Sequence, residues 1–219
     1  MKFLTIVGLA VVALAGIQTA NAATFDFVAE ADKPYDAGVA GEQGFATYKL
    51  EAGGIKLEAT GKFGSQAAFA YLDKGNAGLG VCKILSGPTN QCNPSNDDNV
   101  TLGETLILTF DQMVSLDEVT FRDGGHHQTF DPKALFELTI DGILYGGTGQ
   151  ALVPTFYGPL VGKVFEFANF NADADTDNDY QFYISTVNVS AVPIPAAIWL
   201  FGSAMLGFVG IRRNNKKPA

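Results

Sequence analysis

Hydrophobic and polar residues alternate with a period of two through much of residues 23–191. The clearest alternation lies in two stretches, each interrupted by a two-residue turn: Tyr48–Ala52 and Ile55–Ala59 around Gly53-Gly54, and Leu135–Ile140 and Ile143–Tyr145 around Asp141-Gly142. Period-two alternation is typical of strands that bury one face, and Gly-Gly and Asp-Gly are typical of two-residue hairpin turns. The pattern therefore predicts two β-hairpins.

The turn positions also predict the register of both hairpins. If Ala52 faces Ile55, the opposed pairs of the first hairpin are Lys49 with Glu58, Leu50 with Leu57, and Glu51 with Lys56. Both ion pairs then lie on the solvent side and the leucines on the buried side, and each pair contributes roughly 0.2–1 kcal/mol. In the second hairpin, Ile140 meets Ile143.

The remaining alternation extends this pattern to a whole domain. Further runs are Leu106–Phe110, Val119–Phe121, Phe165–Phe167 and Tyr180–Ile184. No stretch of residues 23–191 carries a sustained helical stripe with caps. Of the 17 phenylalanines, all but Phe3, Phe201 and Phe208 lie in this range and predict an aromatic core. We expect one all-β domain, a two-sheet β-sandwich of the jelly-roll kind.

The first residues follow a different pattern. Lys2 precedes an apolar stretch over residues 3–17, and small residues follow at Ala20 and Ala22. A basic start, an apolar stretch and an A-x-A site predict a secretory signal peptide over residues 1–22, cut by signal peptidase after Ala22. The alternative is a permanent N-terminal anchor, which would need a longer apolar span.

The last residues predict a membrane segment. Residues 195–211 carry no charge, and the tail 212–219 is basic. A helix of this length covers about 25 Å, the short end of what crosses a bilayer. The cations then hold the tail in the cytoplasm and leave the domain outside. The alternative is a buried core helix, which seldom ends in such a cluster of cations.

A motif surrounds this predicted transmembrane helix. Its residues are Val192, Pro193, Ile194, Pro195, Ala196 and Ala197, then Trp199 within the helix, then Arg212 and Arg213. Over residues 192–219 the chain resembles the VPLPA variant of the PEP-CTERM protein-sorting signal, with Ile194 where the commoner form has Glu. The resemblance implies that the chain is held briefly in the inner membrane of a Gram-negative bacterium. An exosortase then cleaves near the proline motif and releases the domain to the outer envelope, cell surface or extracellular matrix.

Charge excludes one class of partner. Residues 23–191 hold nine Lys and Arg and all 23 Asp and Glu, a net charge of -14. A nucleic-acid binder needs the opposite sign to neutralise phosphates. We therefore expect no nucleic-acid partner.

Cys82 and Cys92 are the only cysteines of the chain. In an exported protein they predict an intradomain disulfide, which would stabilise the fold by about 2.5–3 kcal/mol. The alternatives are two free thiols or a two-cysteine metal site, although no histidine lies between them.

Three polar segments are candidate sites. Asp173, Asp175, Asp177 and Asp179 alternate with smaller residues, which predicts either a solvated loop or a calcium site. A second acidic loop, Asn96–Asn99 before Glu104, has the same two interpretations.

His126 and His127 follow Asp123 and precede Asp131, a set that could bind metal or transfer protons. Adjacent histidines in a strand point to opposite faces, however, which favours a polar loop.

The sequence favours an exported, exosortase-sorted surface or matrix protein, associated with biofilm or exopolysaccharide and without enzymatic activity. Residues 23–191 contain no nucleophile elbow, zinc-protease motif, P-loop or dinucleotide fingerprint. One alternative is a calcium-dependent carbohydrate-binding module, with Tyr145, Phe156 or Tyr157 stacking on sugars. The other is a secreted hydrolase using paired carboxylates. Calcium is the one cofactor considered, and the expected partners are signal peptidase, exosortase and exopolysaccharide.

Overall fold

Thirteen β-strands, one short helix and one 3₁₀ turn are found in the residues that the computed structural model describes, 21–171 and 177–193. The strands are β1 (Ala22–Asp26), β2 (Gln43–Phe45), β3 (Tyr48–Ala52), β4 (Ile55–Phe63), β5 (Gln66–Asp73), β6 (Gly78–Cys82), β7 (Leu85–Ser86), β8 (Gln91–Cys92), β9 (Glu104–Arg122), β10 (Leu135–Ile140), β11 (Ile143–Ala151), β12 (Thr155–Asn169) and β13 (Tyr183–Ala191). The helix is α1 (Phe27–Ala31), and the 3₁₀ turn spans Asn178–Tyr180.

Eleven strands form one sheet, and part of it closes into an antiparallel barrel of five strands. The hydrogen-bonded order β13-β6-β5-β4-β9 returns to β13 because β9 also pairs with β13. Strands β12, β10 and β11 extend the sheet beyond β9, and β1 extends it beyond β13. The all-β prediction is confirmed. The predicted jelly-roll sandwich differs from the observed hydrogen bonding, in which one continuous sheet closes on itself.

Strand β9 is the reason that the sheet is continuous. Its first part, residues 104–110, pairs with β4, and its last part, residues 114–122, pairs with β13. Strand β12 pairs with both parts from the other side, with register shifts that bend and twist the ladder. The two alternating runs noted in the sequence, Leu106–Phe110 and Val119–Phe121, therefore belong to one strand of 19 residues.

Both predicted hairpins are confirmed, with the predicted register. In β3–β4, Lys49 pairs with Glu58 and their charged atoms lie 2.8 Å apart. In β10–β11, Ile140 pairs with Ile143. The central residues of both turns, Gly53-Gly54 and Asp141-Gly142, all have positive φ, as a type I′ turn requires.

Aromatic side chains from the barrel strands and from the outer strands pack together in one core. The ring of Phe121 on β9 lies 5.1 Å from that of Phe136, 6.1 Å from that of Phe167 and 5.5 Å from that of Phe182, measured between centroids. All four side chains are fully buried. Because these residues come from β9, β10, β12 and the residue before β13, this cluster joins distant parts of the chain.

Helix α1 is a local feature that the periodicity did not predict. Asp26 accepts a hydrogen bond from the backbone N–H of Ala29 at 2.9 Å and caps the helix, and Phe27 and Ala31 are buried. A helix of five residues is too short to repeat an apolar stripe.

The sheet begins and ends beside the predicted processing points. Strands β1 and β13 pair antiparallel, with Ala22 opposite Ser190, and the N–H of Ala191 donates to the carbonyl oxygen of Asn21 at 2.8 Å. The predicted signal peptide up to Ala20 and the predicted transmembrane helix, residues 195–211, lie outside the described residues. Among the residues that are described, no helix is long and apolar enough to cross a membrane.

Candidate functional site

The predicted disulfide between Cys82 and Cys92 is present and links the ends of β6 and β8, with the Cα atoms 5.8 Å apart. Next to it, Lys83 Nζ lies 2.6 Å from Asp97 Oδ1. The disulfide and this ion pair hold the segment between β8 and β9 against the barrel. That segment carries Asp98, a member of the cluster described next.

A group of titratable side chains, Asp73, Asp98, His126 and Tyr183, is packed together outside β5 and β13. We refer to it as the His126 cluster. The Tyr183 hydroxyl donates to Asp98 Oδ1 at 2.6 Å, and its ring meets the imidazole of His126 edge-on with centroids 5.4 Å apart. His126 Nε2 lies 3.0 Å from Asp73 Oδ2, and Nδ1 lies 3.0 Å from the carbonyl oxygen of Gly75. Four segments far apart in sequence thus form one connected network.

Burial controls the charge of this network. It raises the pKa of Asp98 to about 6, and the negative charge of Asp73 adds to the shift. Burial also raises the pKa of Asp73, which His126 partly opposes, and raises the pKa of Tyr183 strongly. Because the carbonyl oxygen of Gly75 can only accept, Nδ1 of His126 is the donor in that hydrogen bond. Tyr183 is almost completely buried and His126 keeps only a third of its side chain exposed, so the cluster is largely closed to solvent.

The sequence pattern did not predict this cluster. The run Tyr180, Phe182 and Ile184 assigns Tyr183 to the opposite, solvent-facing side of its strand. Tyr183 is nevertheless 1% exposed, because segments that carry Asp98 and His126 cover it. The two histidines contact different carboxylates, since His127 Nδ1 lies 3.4 Å from Asp123 and its side chain is 73% exposed.

The second acidic loop, Asn96–Asn99, is used within the fold. Asp97 pairs with Lys83 and Asp98 with Tyr183, and the side-chain amide of Asn99 donates to Gln181 Oε1 at 2.8 Å. These contacts bind the loop to β6 and to the start of β13.

Glu104, at the start of β9, is fully buried. One of its oxygens accepts from the backbone N–H of Thr101 at 2.9 Å, and the other lies 3.6 Å from Lys83 Nζ. Burial raises the pKa of Glu104 to about 8. This carboxyl therefore bears a proton through much of the neutral range.

The Asp-rich segment is described only in part. Asp173 and Asp175 lie outside the described residues. Asp177 and Asp179 are exposed, and Asp177 Oδ1 accepts from the backbone N–H of Asp179 at 3.0 Å, which caps the 3₁₀ turn. Within residues 21–171 and 177–193, no three His, Cys, Asp or Glu side chains are grouped to hold a metal ion. The calcium site stays a prediction.

The three aromatic residues named as sugar platforms have different environments. Phe156 packs edge-on against Phe136 in the core, with centroids 5.6 Å apart. Tyr157, the next residue on β12, is 69% exposed, and Tyr145 on β11 is 38% exposed. Of these three residues, only Tyr157 and Tyr145 thus present a ring to solvent.

The sorting residues lie at the edge of the described chain. The N–H of Val192 donates to the carbonyl oxygen of Met113 at 3.2 Å, and Pro193 is exposed. The remaining predicted sorting and cleavage residues lie outside the described range: Ala20, Ile194, Pro195, Ala196, Trp199, Arg212 and Arg213.

Comparison of the chain with protein-family models, with curated protein sequences and with solved structures found no match.

Proposed function

We propose that this chain is an exported, non-enzymatic protein of the bacterial cell surface or extracellular matrix. In this proposal a signal peptidase removes residues 1–22, and residues 192–219 hold the chain briefly in the inner membrane. An exosortase then cleaves at the proline motif and releases the barrel domain.

The observation that carries the proposal is where the sheet begins and ends. Strand β1 starts at Ala22, the last residue of the predicted signal peptide, and β13 ends at Ala191, just before Val192 and Pro193. Because β1 and β13 pair with each other, both processing points lie at one edge of the folded unit. Both cuts can therefore leave the barrel intact.

Two further observations agree with an exported scaffold. A disulfide at Cys82–Cys92 suits an oxidising compartment. The His126 cluster, the most concentrated group of titratable side chains described above, has its carboxylates and imidazole bonded to one another and largely shielded from solvent. Such a closed network supports a structural role for these residues more than turnover of a substrate.

The test is intact-mass analysis of the protein purified from its native envelope. We expect a chain that begins at Ala23, ends near residues 192–197 and contains the Cys82–Cys92 disulfide. A Pro193→Ala, Pro195→Ala double variant should accumulate uncut at its C-terminus, whereas Pro34→Ala, at an exposed loop proline, should be processed normally. Full-length protein dissolved inside the cell would contradict the proposal.

A further inference from the structure

Two rows of side chains cross the outer side of strands β12, β9, β13 and β1 in direct register. The first row contains Tyr157, Glu118, Asn188 and Thr24. The second contains Thr155, Thr120, Thr186 and Asp26. We call these eight residues the polar face.

The alternation of the strands assigns the polar face to the side away from the core. The row between the two, which contains Phe156, Val119, Val187 and Phe25, points inward, and its last three members are fully buried. Successive side chains of a strand point to opposite sides of a sheet. The polar face is therefore an outer surface of four neighbouring strands, where a ligand can lie across them.

Hydrogen bonds between neighbouring strands hold these side chains in place. Thr24 donates to Asn188 Oδ1 at 2.7 Å, and the Asn188 amide donates to Glu118 Oε1 at 3.2 Å. In the second row the hydroxyls of Thr120 and Thr186 are 2.6 Å apart. Side chains already ordered in the free protein lose little conformational entropy when a ligand binds.

These bonds leave polar groups for a ligand. The hydrogen bond from the Asn188 amide to Glu118 uses one carboxylate oxygen and one amide N–H. The second oxygen and the second N–H can then accept from and donate to ligand hydroxyls.

An exposed aromatic ring stands at one end of the first row. Tyr157 is 69% exposed, next to Glu118 in register. Adjacent strands lie about 4.8 Å apart, so a row of four spans roughly 14 Å. A strip with an aromatic ring at one end and hydroxyl, amide and carboxylate groups along it suits an extended chain of sugar rings. The ring can contact the apolar C–H face of a sugar while the polar groups bond its hydroxyls.

The negative charge of the polar face and of the domain favours a neutral polymer over an acidic one. Glu118 and Asp26 are acidic, the polar face contains no Lys or Arg, and residues 23–191 carry a net charge of -14. An acidic polymer would be repelled, whereas a neutral glycan presents hydroxyls that can donate to these carboxylates. We propose that the polar face binds a neutral polysaccharide, with Tyr157 as its stacking residue. This inference rests on the proposed delivery of the domain outside the cell, where it would meet such polymers.

The test uses processed protein from the native envelope and immobilised cellulose, chitin and β-1,3-glucan, with acidic alginate for comparison. We expect retention on at least one neutral glycan and none on alginate. Tyr157→Ala should weaken that retention about tenfold, a loss typical of one aromatic contact. The matched control is Tyr35→Ala, which removes a tyrosine that is 44% exposed in the loop between α1 and β2 and should leave retention unchanged.

Several results would overturn the inference. These are no retention on any neutral glycan, equal retention by wild type and Tyr157→Ala, or an equal loss in Tyr35→Ala. Loss of retention with chelator while Tyr157→Ala binds normally would instead indicate the Asp-rich segment. A dimer that Tyr157→Ala converts to monomer, without glycan retention, would make the face a protein interface. Intact-mass analysis of the same preparations reports processing separately, so failure of glycan binding is distinct from failure of the proposed function.

Discussion

Two groups of polar side chains lie on the outer side of the same sheet and differ in what covers them. On the polar face, Tyr157 is 69% exposed and the other seven residues are exposed or half-buried. The His126 cluster around Tyr183, near the start of β13, is covered by the segments that carry Asp98 and His126. Both groups combine a tyrosine with carboxylates, so residue type alone does not separate them.

Whether loops bury a group of polar side chains or leave it in contact with solvent determines what that group can do. Under the loops, burial raises the pKa of Asp73, Asp98 and Tyr183, and their polar atoms bond one another. Such a network stabilises one arrangement of the loops. On the open face, similar groups are ordered by their neighbours and still meet solvent, so they can bind a ligand. The following predictions separate the two groups.

The largest expected effect comes from the same substitution at both tyrosines. Tyr183→Ala removes a buried ring and the hydroxyl that bonds Asp98, and should lower the free energy of unfolding by about 3–5 kcal/mol. Tyr157→Ala removes an exposed ring and should change it by less than about 0.5 kcal/mol. Urea unfolding measures both. Similar losses in the two variants would remove the distinction between covered and open groups.

Removal of the disulfide should have the next largest effect. The Cys82→Ser, Cys92→Ser double variant should lose about 2.5–3 kcal/mol of unfolding free energy, because the unfolded chain is no longer constrained. It should also loosen the segment carrying Asp98 and leave the polar face intact. Relative to wild type, the variant should show faster hydrogen exchange in residues 93–99 and unchanged exchange in β9 and β12. Uniform protection across both regions would contradict this.

The His126 cluster should make stability depend on pH. The pKa of Asp98 is raised from 3.8 to about 6 in the fold, so the folded state holds this proton more tightly than the unfolded state. The resulting stabilisation is complete below about pH 4 and is lost as the pH rises through about 6. Asp98→Asn keeps an oxygen acceptor for Tyr183 and lacks this loss. Its stability relative to wild type should rise by about 1–3 kcal/mol between pH 4 and 7.

Unfolding at a series of pH values tests this prediction, with Glu104→Gln as a second variant. The pKa of Glu104 is also raised, to about 8, so its stabilisation is lost over a higher range, as the pH rises through about 8. The stability difference from wild type should therefore stop growing near pH 6 for Asp98→Asn and near pH 8 for Glu104→Gln. A constant difference between Asp98→Asn and wild type at every pH would show that the Asp98 carboxyl has no shifted pKa.

The smallest expected effect on stability is that of substituting Glu118, the carboxylate of the polar face. Glu118→Gln preserves an oxygen that can accept from Asn188 and replaces a partly exposed charge. Its unfolding free energy should remain within about 0.5 kcal/mol of wild type. Melting temperatures at pH 5 and pH 8 are sufficient to check this. A pH dependence as large as that of Asp98→Asn would indicate that Glu118 is buried in solution.

The alternation of residues predicted those parts of the fold in which the interacting residues are close in sequence. The β3–β4 hairpin is the clearest case, since a two-residue turn sets its register and a one-residue slip would expose Leu57. The disulfide was predictable because the chain has only two cysteines and the predicted export would favour their oxidation. The sequence named Phe156 and Tyr157 alike as sugar-stacking candidates, and only the structure shows that Phe156 packs against the core while Tyr157 is exposed.

The sequence by itself determined the two hairpins with their registers and the pairing of Cys82 with Cys92, because local turn preferences and the presence of only two cysteines are sufficient for these. Only the tertiary structure decided that β9 pairs with both β4 and β13 and so closes the barrel. It also decided that Tyr183 is covered and Tyr157 open. These outcomes depend on contacts between segments tens of residues apart. Such contacts form because the whole chain buries its aromatic core at once, and no short window of sequence contains that information.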